Sequence, residues 1–69
     1  MAQLTTFGKD IGKRLIDMDR QQVWLIDQVR EHTGLYFDDS YLYKIKTGQT
    51  SNPKIVHAIR EILDLPEQV

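Results

Sequence analysis

The chain of 69 residues contains no cysteine, only two prolines and only four glycines. The absence of cysteine excludes a disulfide framework and a thiolate metal site. No apolar run approaches the roughly 18 residues that a membrane-spanning helix needs. The first ten residues, MAQLTTFGKD, also lack the apolar core of a secretory signal. We therefore expect a soluble cytoplasmic protein with no membrane partner.

Side chains that could carry out catalysis are scarce. His32 and His57 are the only imidazoles, they fall in different helical segments, and the sequence has no glycine-rich phosphate loop. Two separated histidines without a cysteine do not provide the ligands of a metal site. We expect no catalytic residue, no metal and no cofactor, so the protein is not predicted to be an enzyme.

The sequence has no linker, internal repeat or low-complexity segment that would divide it. A chain of this length forms one small domain, which buries only about 60% of the surface of its unfolded state. We expect a single domain over residues 1–69, with a core from about residue 6 to residue 65 and short tails.

Acidic residues are missing from one part of the chain. Residues 1–39, 40–60 and 61–69 carry net charges of −2, +4 and −3. The cations of the middle segment are Lys44, Lys46, Lys54 and Arg60. A basic segment within an otherwise acidic molecule is typical of a face that contacts phosphates. The alternative is that four solvated cations cluster there by chance.

Strand-like alternation is also missing, and four helical segments account for the apolar residues. The first, TFGKDIGKRLIDMD, begins after Thr5 or Thr6, either of which is a suitable N-cap. Its apolar stripe is formed by Phe7, Ile11, Leu15 and Met18, with Ile16 beside it. The second, DRQQVWLIDQVREHTG, starts after Asp19 or Gln21 and ends at Gly34. Its apolar face is formed by Leu25, Ile26 and Val29.

The third segment, DDSYLYKIKTG, starts at Asp38 or Asp39 and ends at Gly48, with Leu42 and Ile45 turned inward. The fourth, SNPKIVHAIREILDLP, has Asn52 as N-cap, Pro53 at the first helical position and Pro66 at its end. Its apolar stripe is formed by Ile55, Val56, Ile59, Ile62 and Leu63. These patterns predict an all-α fold.

Several motifs occur in an order that resembles the lambda-repressor-like (Cro/repressor, XRE) helix-turn-helix family. They are Q-x-x-L at residues 22–25, SYLYKIKTG at 40–48 and NP at 52–53 ahead of an apolar helix, and IGKRLIDM is similar to the family's opening helix. The match covers about residues 7–65. It implies a compact fold of four or five helices and a small phage-type regulator of transcription. Its expected partners are a double-stranded DNA operator and a second copy of the chain in a weak dimer.

The resemblance also implies which residues contact DNA. Gln22, at the start of the second helix, corresponds to a phosphate contact, and the third helix, residues 39–47, corresponds to the helix that reads the major groove. The matching positions on the third helix are Ser40, Tyr41, Tyr43 and Lys44. Those expected to contact the DNA backbone are Lys46, Thr47, Gln49, Thr50, Ser51 and Lys54. Short polar donors beside a helix N-terminus suit phosphate, although GQTSN is equally an ordinary polar turn and both tyrosines suit half-buried packing.

The chain departs from the family pattern between the second and third helices. The family joins these helices through a short turn of about three to four residues. The resemblance implies about eleven residues from the core leucine of the second helix to the first core residue of the third. Leu25 and Leu42 are seventeen positions apart, which is about six more. The extra residues lie within VREHTGLYFDD, so we expect an enlarged connection around residues 30–39.

Aromatic residues in and near this connection have two interpretations. Leu35, Tyr36 and Phe37 fold over Trp24 as a small satellite core, or Trp24, Tyr36 and Phe37 form an apolar patch for a protein partner. In the second case the protein would be an antirepressor that binds a cognate phage repressor instead of DNA.

The two adjacent carboxylates of the connection are also open to two interpretations. Asp38 and Asp39 are expected to cap the third helix, where they interact favourably with the helix dipole. Alternatively, one of them accepts a hydrogen bond from a cytosine amino group.

Overall fold

The computed structural model describes residues 3–66, and within that range the chain forms four helices and no strand. The helices are α1 (Thr6–Asp17), α2 (Gln22–Thr33), α3 (Asp39–Lys46) and α4 (Pro53–Leu63). The predicted all-α fold is confirmed, and the architecture is consistent with a small helix-turn-helix domain. None of the helices between residues 3 and 66 has the length and apolar character required to cross a membrane.

One apolar core joins the four helices. Helix α2 packs mainly on α4, and α1 packs on both α3 and α4. Every predicted stripe contributes side chains to this core, whose fully buried members include Ile11, Leu25, Val29, Phe37, Leu42, Ile55, Ile59 and Leu63. Ile16, which was expected beside the first stripe, is instead 79% exposed. One residue turns a helix by about 100°, which carries Ile16 away from the buried position of Leu15.

Side-chain caps begin three of the four helices at residues that the sequence indicates. Their oxygens accept backbone N–H groups: Thr5 from Gly8 (3.0 Å), Asp38 from Tyr41 (2.8 Å) and Asn52 from Lys54 (3.0 Å). Helix α2 begins after Gln21, whose side chain makes no capping hydrogen bond. Asp19, the other predicted cap, lies in the preceding turn with a φ of 55°. The first turn of α2 therefore receives no side-chain cap.

The connection between α2 and α3 is anchored by one aromatic side chain. Gly34 ends α2 in the left-handed conformation with a φ of 70°. Phe37 is completely buried in the main core, and its ring centroid lies 5.2 Å from that of Tyr41. The Nε of Arg30 donates a hydrogen bond of 2.6 Å to the carbonyl oxygen of Phe37. The ring and this hydrogen bond fix the chain immediately before α3.

The predicted satellite core over Trp24 does not form. Leu35 and Tyr36 are 37% and 72% exposed, while Phe37 joins the main core. Trp24 is half-buried at the edge of that core, and the guanidinium carbon of Arg20 lies 5.0 Å from the centroid of its ring. The interpretation of Leu35 and Tyr36 as a cover is wrong, because both side chains are exposed to solvent.

Helices α1 and α3 meet at a junction around the carbonyl oxygen of Lys46, which we call the Lys46 junction. This oxygen accepts hydrogen bonds from the Thr5 amide (2.9 Å) and the Thr5 hydroxyl (3.1 Å). A Cβ atom at Gly8 would lie 2.3 Å from the same oxygen, so only glycine permits this approach of the two helices. Gly48, with a φ of 79°, turns the chain away directly after α3.

Gly8→Ala is expected to lower the free energy of unfolding by about 1–3 kcal/mol, the usual cost of overpacking, because its methyl group would collide with the Lys46 carbonyl. Gly12→Ala is the matched control in the same helix, since the space around its Cβ is open. Alanine there should stabilise the protein by up to about 1 kcal/mol through helix propensity. Urea denaturation measures both. Equal shifts for the two variants would contradict the close contact at Gly8.

Phe37→Ala is expected to lower the free energy of unfolding by about 3–5 kcal/mol, as loss of a fully buried aromatic ring does. Leu35→Ala, two residues earlier, should cost less than about 1 kcal/mol because Leu35 is partly in solvent. Thermal unfolding followed by circular dichroism compares the two variants. Similar losses would place Leu35 in a shared apolar cluster with Phe37.

Candidate nucleic-acid interface

Helix α3 turns one polar face outward and one apolar face inward. Leu42 and Ile45 are buried, whereas Ser40, Tyr43 and Lys44 are exposed. The helix therefore has an inward apolar side, which fixes it to the core, and an outward side available to a partner.

The two tyrosines of α3 have different environments. Tyr41 is half-buried against Phe37, and its hydroxyl accepts a hydrogen bond of 3.3 Å from the Nδ2 of Asn52. Tyr43 is 51% exposed. The packing interpretation thus applies to Tyr41, and Tyr43 remains on the accessible face.

An open groove of about 560 Å³, which we call the α3 groove, crosses this part of the surface. It is lined by Tyr36 and Asp38 from the connection, Ser40, Tyr41 and Lys44 from α3, and Gln49 and Thr50 from the following loop. The five residues from α3 and the loop were all predicted to contact DNA. Tyr36 and Asp38 were not in that set. The sequence offered Tyr36 as part of a protein-docking patch, and Asp38 as a cap or as an acceptor for a cytosine amino group.

Asp38 is the only carboxylate that lines the α3 groove, and both of its oxygens accept hydrogen bonds. Oδ1 accepts the Tyr41 amide at 2.8 Å, and Oδ2 accepts the Tyr36 hydroxyl. Its predicted role as a cap is therefore confirmed. The Tyr36 hydrogen bond lowers the pKa of Asp38, with further lowering from the Tyr41 amide and from the charges of Arg30 and Lys44. The groove accordingly holds a fixed negative charge and the ammonium group of Lys44.

The hydrogen bond between Tyr36 and Asp38 also changes the titration of the phenol. Donation to the carboxylate raises the pKa of Tyr36 from its ordinary value of 10.0. Tyr36 is thus protonated at neutral pH, and its hydroxyl hydrogen is occupied by Asp38. What it offers a ligand is the exposed face of its ring and the lone pairs of its oxygen.

Gln22, the predicted phosphate contact on α2, is exposed but has protein partners. Its Nε2 donates to an oxygen of Asp39 at 3.3 Å, and its Oε1 accepts from the Lys46 ammonium at 3.4 Å. These long, exposed hydrogen bonds link the start of α2 to both ends of α3. A phosphate at this position would compete with Asp39 for the Gln22 amide and with Gln22 for the Lys46 ammonium.

The loop after α3 and the start of α4 contain the remaining predicted contacts. The Thr47 hydroxyl donates to the Tyr43 carbonyl at 2.9 Å and accepts from the Gln49 side chain at 2.9 Å, so its hydrogen is already used. Ser51 and Lys54 are exposed on either side of the cap of α4. Of these residues, Ser51 and Lys54 are the most accessible to a phosphate.

The alternative protein-docking patch is not a continuous apolar surface. Phe37 has no exposed area, and Trp24 is half-buried beneath the Arg20 guanidinium. Only Tyr36, at 72% exposure, projects into solvent. The prediction of a three-residue patch is therefore wrong for Phe37, which the core requires.

The two histidines both contact the carboxylate of Glu61, although they lie in different helices. His32 on α2 and His57 on α4 each place Nε2 at 2.8 Å from an oxygen of Glu61. The His57–Glu61 pair spans one helical turn, but the contact with His32 depends on how α2 packs against α4. Within residues 3–66 no group of His, Cys, Asp and Glu side chains could hold a metal ion. The three side chains therefore connect two helices.

The lowered pKa of Asp38 implies an acid-sensitive contribution to stability. Since the folded pKa lies below the ordinary value of 3.8, ionised Asp38 stabilises the fold above that value, and the contribution is lost as the pH falls through the folded pKa. Tyr36→Phe removes the largest cause of the shift. Its unfolding free energy should therefore decline less steeply than that of the wild type between about pH 5 and pH 2. Urea denaturation across this range tests the expectation, and parallel curves would contradict it.

Comparisons with known proteins do not extend this description. None of the family models, curated proteins or solved structures with which the chain was compared matches it. The candidate interface accordingly rests on its own geometry, namely the outward face of α3, the α3 groove and the lysines around them.

Proposed function

We propose that the protein is a sequence-specific DNA-binding regulator that presents α3 to the major groove of double-stranded DNA. The observation that carries the proposal is the exposed polar face of α3, where Ser40, Lys44 and Gln49 line one groove. This face belongs to residues 40–60, which contain four cations and no acid. The major groove is wide enough for an α-helix, and its base edges offer acceptors to Lys44.

Different parts of this surface would contact the bases and the phosphates of the DNA. Lys44 lies within α3, where a lysine can donate to the O6 and N7 atoms of guanine. Lys54 and Ser51 lie at the start of α4, where the helix dipole favours an anion. Arg60 is excluded from the set, because its guanidinium donates to the Pro66 carbonyl and lies over the Phe7 ring.

In this proposal the protein acts as a small Cro/repressor-type switch of a phage or mobile element. It represses by occupying an operator that overlaps a promoter. Two copies would pair weakly on half-sites about one helical turn of DNA apart. The resemblance in residues 22–25, 40–48 and 52–53 supports this lineage.

A modulator that binds a cognate repressor protein is the second candidate, and the acidic start of α3 favours it. Asp38 and Asp39 would oppose a DNA phosphate, whereas they would complement the basic surface of another DNA-binding protein. Tyr36, at 72% exposure, is a suitable aromatic anchor for such an interface. Titration with a random double-stranded DNA library at two salt concentrations separates the candidates. Only the first predicts binding to the duplex, and that binding should weaken steeply with salt.

Lys44→Ala is expected to weaken binding to the operator selected from such a library by about 1–3 kcal/mol, the scale of a base-edge contact, with little change on random DNA. Lys54→Ala is the matched control for a phosphate contact. It should lower affinity for both DNAs alike and flatten the salt slope by about one unit. Fluorescence anisotropy with labelled duplexes measures these effects. Equal losses on operator and random DNA for Lys44→Ala would contradict its role in reading bases.

A further inference from the structure

The α3 groove carries a negative charge at the centre of a surface proposed to meet a polyanion. One oxygen of Asp38 caps α3 by accepting the Tyr41 amide. Capping does not require a charge, and α1 and α4 of the same chain use the neutral residues Thr5 and Asn52. A neutral residue could therefore cap α3, and the carboxylate adds a charge that the cap itself does not require.

Asp38 and Lys44 are placed to act on the same ligand. Lys44 follows Asp38 by six residues, which is about 9 Å along the helix axis at 1.5 Å per residue. Side chains of a helix lean towards its N-terminus, which is the end of α3 that Asp38 caps. Both residues line the α3 groove, and the charge of Lys44 acts on the carboxylate.

The carboxylate is held in place and still has acceptor capacity. The Tyr36 hydroxyl and the Tyr41 amide each bond to a different oxygen of Asp38. Each carboxylate oxygen carries two lone pairs, so one lone pair on each remains for a donor outside the protein. The groove thus presents an oriented acceptor together with the ammonium group of Lys44, which has three donors.

This combination matches the major-groove edge of a G·C base pair. Guanine presents two adjacent acceptors, O6 and N7, and its paired cytosine presents the N4 amino donor beside them. Lysine is a partner for the guanine acceptors, and aspartate is a partner for the cytosine amino group. An A·T pair also presents an amino donor, N6 of adenine, but this donor lies between two acceptors, N7 of adenine and O4 of thymine. The pair therefore lacks two adjacent acceptors with a donor beside them.

We propose that Asp38 and Lys44 read one G·C base pair together, with Lys44 donating to guanine and Asp38 accepting from N4 of the paired cytosine. The inference rests on the proposed DNA-binding function and specifies the sequence that it recognises. Tyr36 is a positioning residue in this arrangement, because its hydroxyl orients the carboxylate.

The test compares Asp38→Asn with Asp39→Asn in a selection from a randomised duplex library. Asparagine at position 38 retains an oxygen for the cap of α3 and is as good an N-cap as aspartate. Asp39→Asn removes the same charge one residue later, from a side chain that does not line the α3 groove. Both variants should bind random DNA slightly more tightly than the wild type, since each relieves repulsion of phosphates.

Of the two aspartate variants, only Asp38→Asn is expected to lose the base preference. The wild type and Asp39→Asn should favour a G·C pair over an A·T pair at one position by on the order of tenfold, and Asp38→Asn by less than about twofold. Lys44→Ala should lose the preference at the same position. Urea midpoints of the three variants check that α3 remains folded.

The outcomes separate this inference from the function on which it rests. A preference retained in Asp38→Asn, or lost equally in Asp39→Asn, would overturn the inference and leave DNA binding in place. Loss at different positions for Asp38→Asn and Lys44→Ala would overturn the joint reading of one base pair. Failure of the wild type to show salt-dependent binding to any duplex in the library would overturn both.

Discussion

The carbonyl oxygen of Lys46 determines how α1 and α3 meet. It accepts the amide and the hydroxyl of Thr5, and the absence of a side chain at Gly8 lets the two helices approach. A helix of eight residues is too short to be stable by itself, so α3 depends on such contacts for both its formation and its direction. The hydrogen bonds between Thr5 and the Lys46 carbonyl therefore also fix the direction in which α3 presents the face that carries Lys44.

At its opposite end α3 is fixed by the connection, where one residue both caps the helix and lines the α3 groove. Phe37 anchors the chain in the core, Arg30 holds its carbonyl, and Asp38 caps the helix. The same Asp38 carboxylate lines the α3 groove beside Lys44. The Tyr41 amide and the Tyr36 hydroxyl orient this carboxylate towards the groove. It therefore favours ligands that offer a hydrogen-bond donor and disfavours bare phosphates.

The sequence predicted the features that depend on local chemistry. Caps such as Thr5 and Asn52 and the apolar stripes follow from spacing and side-chain type within one helix, and they are present. The candidate site was predicted only in part, because the α3 groove requires Tyr36 and Asp38 to face residues after α3. The contacts of Gln22 with α3 and of His32 with Glu61 join distant positions whose proximity depends on helix packing. The burial of Phe37 without its neighbours follows from the space available in the core, which no local pattern encodes.

The stretch from Gly34 to Gly48 separates the residues that maintain the fold from those that a partner can touch. Phe37, Leu42 and Ile45 are turned inward, while Ser40, Tyr43 and Lys44 are turned outward, and a glycine with positive φ bounds the stretch at each end. Exposed positions generally tolerate substitution at small cost in stability. A lineage carrying this fold could therefore diversify its outward residues under selection for new partners while the inward three stay constant. Selection for a new specificity and selection for a stable fold would then act on different residues of the same short segment.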